Sequence, residues 1–253
     1  MNSFIPWLKK EFLEGARSYR FLILAVAAAF FAFLDPVMLK LMPAIMKAQV
    51  GMDASSLFPA TRDYAFGTFL GDLFEILGFV VCLSLGGIVA KERKDGVYVM
   101  PRVKGAGFPG IILAKTLAYA GFLAVVLVCA VFVSYLYAGL LFPGSAVEPS
   151  FPLGAGLLMA GYFAYLTALV VAASAVFPSG IAASLASVAV VYGLPALGSL
   201  LRFDKVLPSR LAMGAASLPV DGWNGFLLPA LIACAAVVLL LCCASAVTGG
   251  RRS

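Results

Sequence analysis

Few residues in this chain have side chains suited to chemistry, and their positions are the first clue. Asp72 and Glu75 lie three residues apart, which places them on one face of a helix. Acidic groups at membrane depth are costly and often functional, so the pair is a candidate contact for a cation or a cationic substrate. The alternative is a hydrated pair at the outer interface, because Asp63 and Tyr64 place that interface nearby. Asp35 precedes Pro36 inside another apolar run and is a weaker candidate of the same kind.

The denser group of charges is Lys91-Glu92-Arg93-Lys94-Asp95-Gly96, with Pro101, Arg102, Lys104 and Lys115 beyond it. Val97, Tyr98, Val99 and Met100 stand among these charges as an apolar stretch. Such residues in a short aqueous loop either meet another protein or pack back on the protein's own helix ends.

Other chemistries lack their residues. The chain has no histidine, which removes His-based zinc sites, imidazole bases and His-ligated haem. Its five cysteines, Cys82, Cys129, Cys234, Cys242 and Cys243, all lie in apolar runs without metal-ligand spacing or a disulfide framework. They read as small apolar filler. No GxxxxGK[ST] loop is present, so a phosphate cradle of that type is lacking. The net charge of +6 is distributed by topology, and anionic lipid accounts for it better than nucleic acid.

These residues must be positioned by elements made for lipid. Hydrophobic residues make up 63% of the 253 and charged residues 12%, half the share of a water-facing domain. Six runs are long enough to cross a bilayer as helices: about 21–46, 66–90, 111–141, 153–177, 181–201 and 226–247. They are continuous rather than alternating, which favours helices over barrel strands. Asp35-Pro36 is expected to interrupt the first run. Phe177-Pro178-Ser179-Gly180 is expected to form a tight hairpin between the fourth and fifth. The segment from Arg202 to Gly225 is expected to dip partly into the outer leaflet.

Residues 4–20 precede the first span. Trp7, Leu8, Phe12 and Leu13 alternate with Lys9, Lys10, Glu11 and Glu14 at helical spacing, the pattern of an amphipathic helix lying in the interface. No short apolar run with a small-residue cleavage site follows, so a cleaved signal peptide is not expected.

Orientation follows the basic residues. A cytoplasmic N-terminus puts Lys9, Lys10, Arg17, Arg20, Lys91, Arg93, Lys94, Arg102, Lys104, Lys115, Arg251 and Arg252 inside. It leaves Lys40, Lys47, Arg62, Arg202, Lys205 and Arg210 outside. The expectation is an all-α membrane protein: six transmembrane helices, an N-terminal amphipathic interface helix and both termini cytoplasmic. Gly67 and Gly71, with Gly154, Gly156, Gly161, Ala183 and Ser187, supply small faces for helix packing or for a dimer interface.

The order of elements resembles the membrane-spanning permease subunit of a type-two ABC exporter, over essentially the whole chain. The residues that carry the likeness are Glu92, Arg93, Gly96, Pro101, Arg102 and Lys115, together with the N-terminal "WLKKEFLE", the six spans and the hairpin between spans four and five. In one place the chain departs from the family pattern. The ending reads "PRVKGAG", so the family's basic role falls to either Arg102 or Lys104.

The resemblance implies a single permease domain over 1–253, in a multi-pass cytoplasmic membrane protein. It implies that the loop at 91–110 is a coupling element docking on a separate ABC ATP-binding subunit. Glu92, Arg93, Gly96, Val97, Tyr98, Met100, Pro101, Arg102 and Lys104 would serve that coupling. It also implies pairing with a second copy or a sister permease. No cofactor is expected on this chain, and ATP and Mg would be bound by the partner. The chain itself is then not an enzyme. Two other readings are a secondary transporter working alone, which predicts inverted repeats that are not evident, and a membrane-embedded enzyme, for which convergent catalytic groups are lacking.

Overall fold

The computed structural model describes residues 4–50, 61–99, 107–142, 150–218 and 222–250. Among these there is no strand. Six helices are long and apolar enough to cross a membrane: Arg20–Ala48, Arg62–Lys94, Phe108–Leu141, Phe151–Val176, Gly180–Leu201 and Asn224–Gly250. They coincide with the six runs read from the sequence, with ends extended by a few residues.

The first helix, α1, covers Phe4–Arg17 and has one apolar and one charged face. It does not continue into the first span. Tyr19 adopts a left-handed backbone with φ 59°, and the chain turns there into α2, Arg20–Val50. Gly15 permits the turn. A Cβ at this position would lie 2.6 Å from the Phe21 ring, so a side chain would push α1 off α2.

Helix α2 corrects one expectation. It runs unbroken through both Pro36 and Pro43, so Asp35-Pro36 does not interrupt the span. The physical reason is the solvent. A proline frees one carbonyl, whereas a broken turn in lipid would leave several backbone groups unmet.

The second span is segmented. It consists of α3 (Arg62–Asp72), a π-helical turn (Leu73–Leu77), α4 (Gly78–Leu85) and the short α5 (Ala90–Lys94). Thr61 caps its start by accepting from Tyr64 N at 3.3 Å. Between α4 and α5 the regular ladder lapses, and Ser174 Oγ repairs it by accepting from Val89 N at 2.9 Å and Ala90 N at 3.1 Å. A backbone break at this depth needs such a partner.

Helices α6 (Phe108–Leu141), α7 (Ser150–Val176) and α8 (Gly180–Leu201) follow. The α7–α8 turn is the expected hairpin. Ser179 caps α8 through Ala182 N at 3.2 Å, and Gly180 lies against Gly87, where a Cβ would come 2.7 Å from the Gly87 Cα. The segment after α8 is built from short turns around α9 (Arg210–Met213). Leu211, Ala212, Ala215 and Leu218 are buried, so this segment folds back on the bundle. Helix α10 spans Asn224–Gly250.

Helix α7 is the central post, with Met159, Tyr162, Phe163, Leu166 and Val170 buried on several sides. Helices α8 and α10 flank it with most of their surface outward. Outward faces are largely apolar, as at Leu22, Val26, Phe30, Leu136, Leu185, Leu231 and Val238. A bundle with an apolar exterior and six bilayer-length helices is built for lipid.

Candidate functional site: a buried charge cluster joining α1, α5 and α6

At the α5 end of the bundle, charges that are far apart in sequence converge. Lys115 sits in the second turn of α6 and is wholly buried. Its Nζ lies 2.7 Å from a carboxylate oxygen of Glu11 and 3.0 Å from one of Glu92. Glu11 is also wholly buried, on the inward face of α1. Lys10 bonds to Glu14 at 2.7 Å, to Glu11 at 3.1 Å and also to Glu92. Tyr98 OH donates at 2.6 Å to the Glu92 oxygen that also faces Lys115, while Lys10 takes the other. Arg20 extends the group, donating to Tyr119 OH at 3.4 Å and reaching Glu14 at 4.0 Å.

The cluster is balanced. The carboxylates of Glu11, Glu14 and Glu92 come within 4.8 Å of one another, a spacing that would suit a metal. Lys10 bonds to all three and Lys115 to two. The ammonium groups therefore already occupy the space a cation would need, and the group is an ion-pair lock rather than a metal site. Burial by itself would lower the Lys10 pKa, but the bonds to Glu14 and Glu92 outweigh it and hold the ammonium above its ordinary range. Burial and the adjacent Glu92 carboxylate push the Tyr98 phenol well up, so it stays a hydrogen-bond donor.

Arg93 works on the other side of the same loop. Its guanidinium donates to the carbonyls of Ala175 at 2.6 Å and Phe177 at 2.7 Å. These are end-of-helix carbonyls of α7, which otherwise lack partners, and a cation there also meets the negative end of the helix dipole.

The expected coupling residues therefore divide by direction. Glu92, Arg93 and Tyr98 face inward and fasten the loop to α1, α6 and α7. Gly96 makes the turn, with φ 68°. Val97 and Val99 face outward, 37% and 56% exposed. Met100, Pro101, Arg102 and Lys104 lie outside the described residues.

The two acids of the second span differ in surroundings, Asp72 half-buried and Glu75 exposed. The π turn begins directly after Asp72 and contains Glu75, so the regular i, i+3 alignment of an α-helix does not hold between them. Asp72 faces the carboxyl of Asp35 on α2. Asp35 is buried, and its Oδ2 has no hydrogen-bond partner among the described residues. Glu75 is exposed on the flank, and its backbone carbonyl accepts from Tyr192 OH.

Sequence reasoning placed Glu92 and Lys115 near the site but missed Lys10, Glu11 and Glu14 as their partners. A signal was present. A lysine inside an apolar helix needs a counter-charge, and α1 carries two carboxylates, Glu11 and Glu14, just ahead of the first span. Compared with protein-family models, curated proteins and solved structures, the chain gives no significant match in any of the three.

Proposed function

We propose that this chain is the permease subunit of an ABC transporter, an exporter, moved by a separate ATP-binding subunit that docks on the loop between the second and third spans. The observation that carries this reading is the charge cluster. Glu92 and Tyr98 join the loop to α1 through Lys10 and to α6 through Lys115, while Arg93 joins it to α7. The outward Val97 and Val99 form a small apolar knob on this anchored base. A push on the knob would move three helices together, which a slack loop cannot do.

In this reading the chain lies in the cytoplasmic membrane with both termini inside, and α1 lies in the interface beside the docked partner. ATP and Mg belong to that partner, and this chain is not itself an enzyme. A second permease, identical or a sister, completes the pathway. Gly71, which has nothing within 4 Å of a built Cβ, leaves room for close approach of such a partner. Asp35, Asp72 and Glu75 supply acidic groups toward a cationic substrate.

The test is co-purification of this chain with an ABC ATP-binding subunit from the same cells. Val97→Asp with Val99→Asp should leave the protein inserted and abolish both co-purification and stimulated ATP hydrolysis. Retention of both activities would overturn the reading.

One observation favours a second reading, a transporter working alone. Asp35 and Asp72 face each other within spans one and two, beside the π turn, an arrangement also found where ions cross membranes. Proteoliposomes containing only this chain decide between the two. Transport driven by an ion gradient without any ATPase would favour the second.

A further inference from the structure

Beside the charge cluster, a cleft of about 550 Å³ opens between α4–α5 and the start of α8. Its walls differ by depth. Leu83, Ile181 and Leu185 line it and are strongly exposed, at 50%, 77% and 60%. Lys91 and Lys94 stand at its rim, with Ser179 of the hairpin opposite. Both lysines are exposed, and neither has an ion-pair partner among the described residues. This sets them apart from Lys10 and Lys115, whose charges the cluster consumes, and from Arg93, which is held by α7 carbonyls. Glu92 and Asp95 are their neighbouring acids in sequence, but neither lines the cleft, and Glu92 is held by Lys10 and Lys115.

We infer that this cleft is a binding site for an anionic phospholipid, with the headgroup phosphate between Lys91 and Lys94 and an acyl chain along Leu83, Ile181 and Leu185. Charge complementarity names the headgroup. Each lysine near a membrane surface attracts anionic lipid, and the first turn of α8 adds backbone amides and the positive end of a helix dipole. The apolar wall decides between a lipid and a free phosphate. A soluble anion would leave the three aliphatic side chains uncovered, whereas a lipid covers both halves.

The site also has a structural meaning. Helix α8 is mostly outward-facing, and beside this cleft it meets the second span through the bare Gly180–Gly87 backbone contact and through Ser184 against Gly86. A lipid seated beside that crossing would fasten the hairpin to the loop that carries Glu92 and Arg93. The inference stands apart from the transport reading, since it needs only a membrane.

The test uses the full chain purified in mild detergent, offered an equimolar mixture of phosphatidylglycerol and phosphatidylcholine and read by native mass spectrometry. The wild type should retain phosphatidylglycerol selectively. Lys91→Gln with Lys94→Gln, both exposed, should weaken that retention on the order of tenfold. Leu185→Trp, which fills the apolar wall without changing charge, should also lower it. Lys9→Gln serves as control, an exposed lysine outside the cleft, and should change retention little. The inference is overturned by equal retention of the two lipids or by an equal loss in the Lys9 variant. It is also overturned if millimolar glycerol phosphate alone displaces the lipid, which would make the site one for a free phosphate. Loss of ATPase co-purification in the double variant with unchanged lipid retention would likewise sink it, assigning the lysines to a protein contact.

Discussion

Lys115 of α6 and Glu11 of α1 are 104 residues apart in sequence, yet their charged atoms meet at 2.7 Å with both side chains wholly buried. This pair pins the N-terminal helix to the third span. Removing one member of a buried ion pair costs about 3–5 kcal/mol, because the other is left as an uncompensated charge. Lys115→Met is therefore expected to lower the thermal unfolding midpoint sharply. Lys115→Met combined with Glu11→Met should recover part of the loss, since an apolar pair of similar volume carries no stranded charge. A double variant less stable than both singles would contradict the lock.

Alkaline pH should loosen the same cluster. The folded-state pKa of Lys10 is raised above its unfolded value, because the bonds to Glu14 and Glu92 outweigh desolvation. A raised lysine contributes stability that is fully present below about 10.4 and is lost as pH rises toward the higher folded value. The Tyr98 phenol is raised too, by burial and by Glu92. Its unfolded form ionises first, so it also favours unfolding above about pH 10. Unfolding midpoints measured from pH 8 to pH 11 should fall above pH 10, and Lys10→Met with Tyr98→Phe should flatten that fall.

The inward and outward sides of the loop should respond differently. Arg93→Gln loses charge-assisted bonds to two α7 carbonyls, each worth roughly 1.5–3 kcal/mol, and is expected to destabilise clearly. Val97→Asp and Val99→Asp touch exposed positions and should change stability by no more than about 0.5 kcal/mol. Thermal unfolding of the three variants side by side checks this. A large loss in the valine variants would show that the knob is packed rather than offered.

Gly180→Ala is expected to destabilise by about 1–3 kcal/mol. The new Cβ would stand 2.7 Å from the Gly87 Cα, and backbone cannot yield as a flexible side chain can. Gly110→Ala is the comparison, since nothing lies within 4 Å of a Cβ built there. Equal midpoints for the two variants would argue that α8 does not cross the second span at Gly87.

Legibility in the sequence followed the kind of force involved. The spans were readable because lipid demands about 20 apolar residues in a row, whoever their neighbours are. The hairpin was readable from Pro178 and Gly180. The break expected at Pro36 was not found, because the rule for a proline in water overstates its effect in lipid. The π turn at Leu73–Leu77, which holds Glu75 directly after Asp72, left no mark in composition.

By itself the sequence determined the helical class, the number of bilayer-length helices and the stretch richest in charge. Each follows from composition and spacing along one strand of chain. The tertiary structure alone decided the partners of those charges. Glu92 and Lys115 belong to one charge-rich stretch of the sequence, but Lys10 and Glu11 reach them only because α1 folds back at Tyr19 and Gly15. An ion pair acts over a few ångströms, and that distance is set by how helices pack.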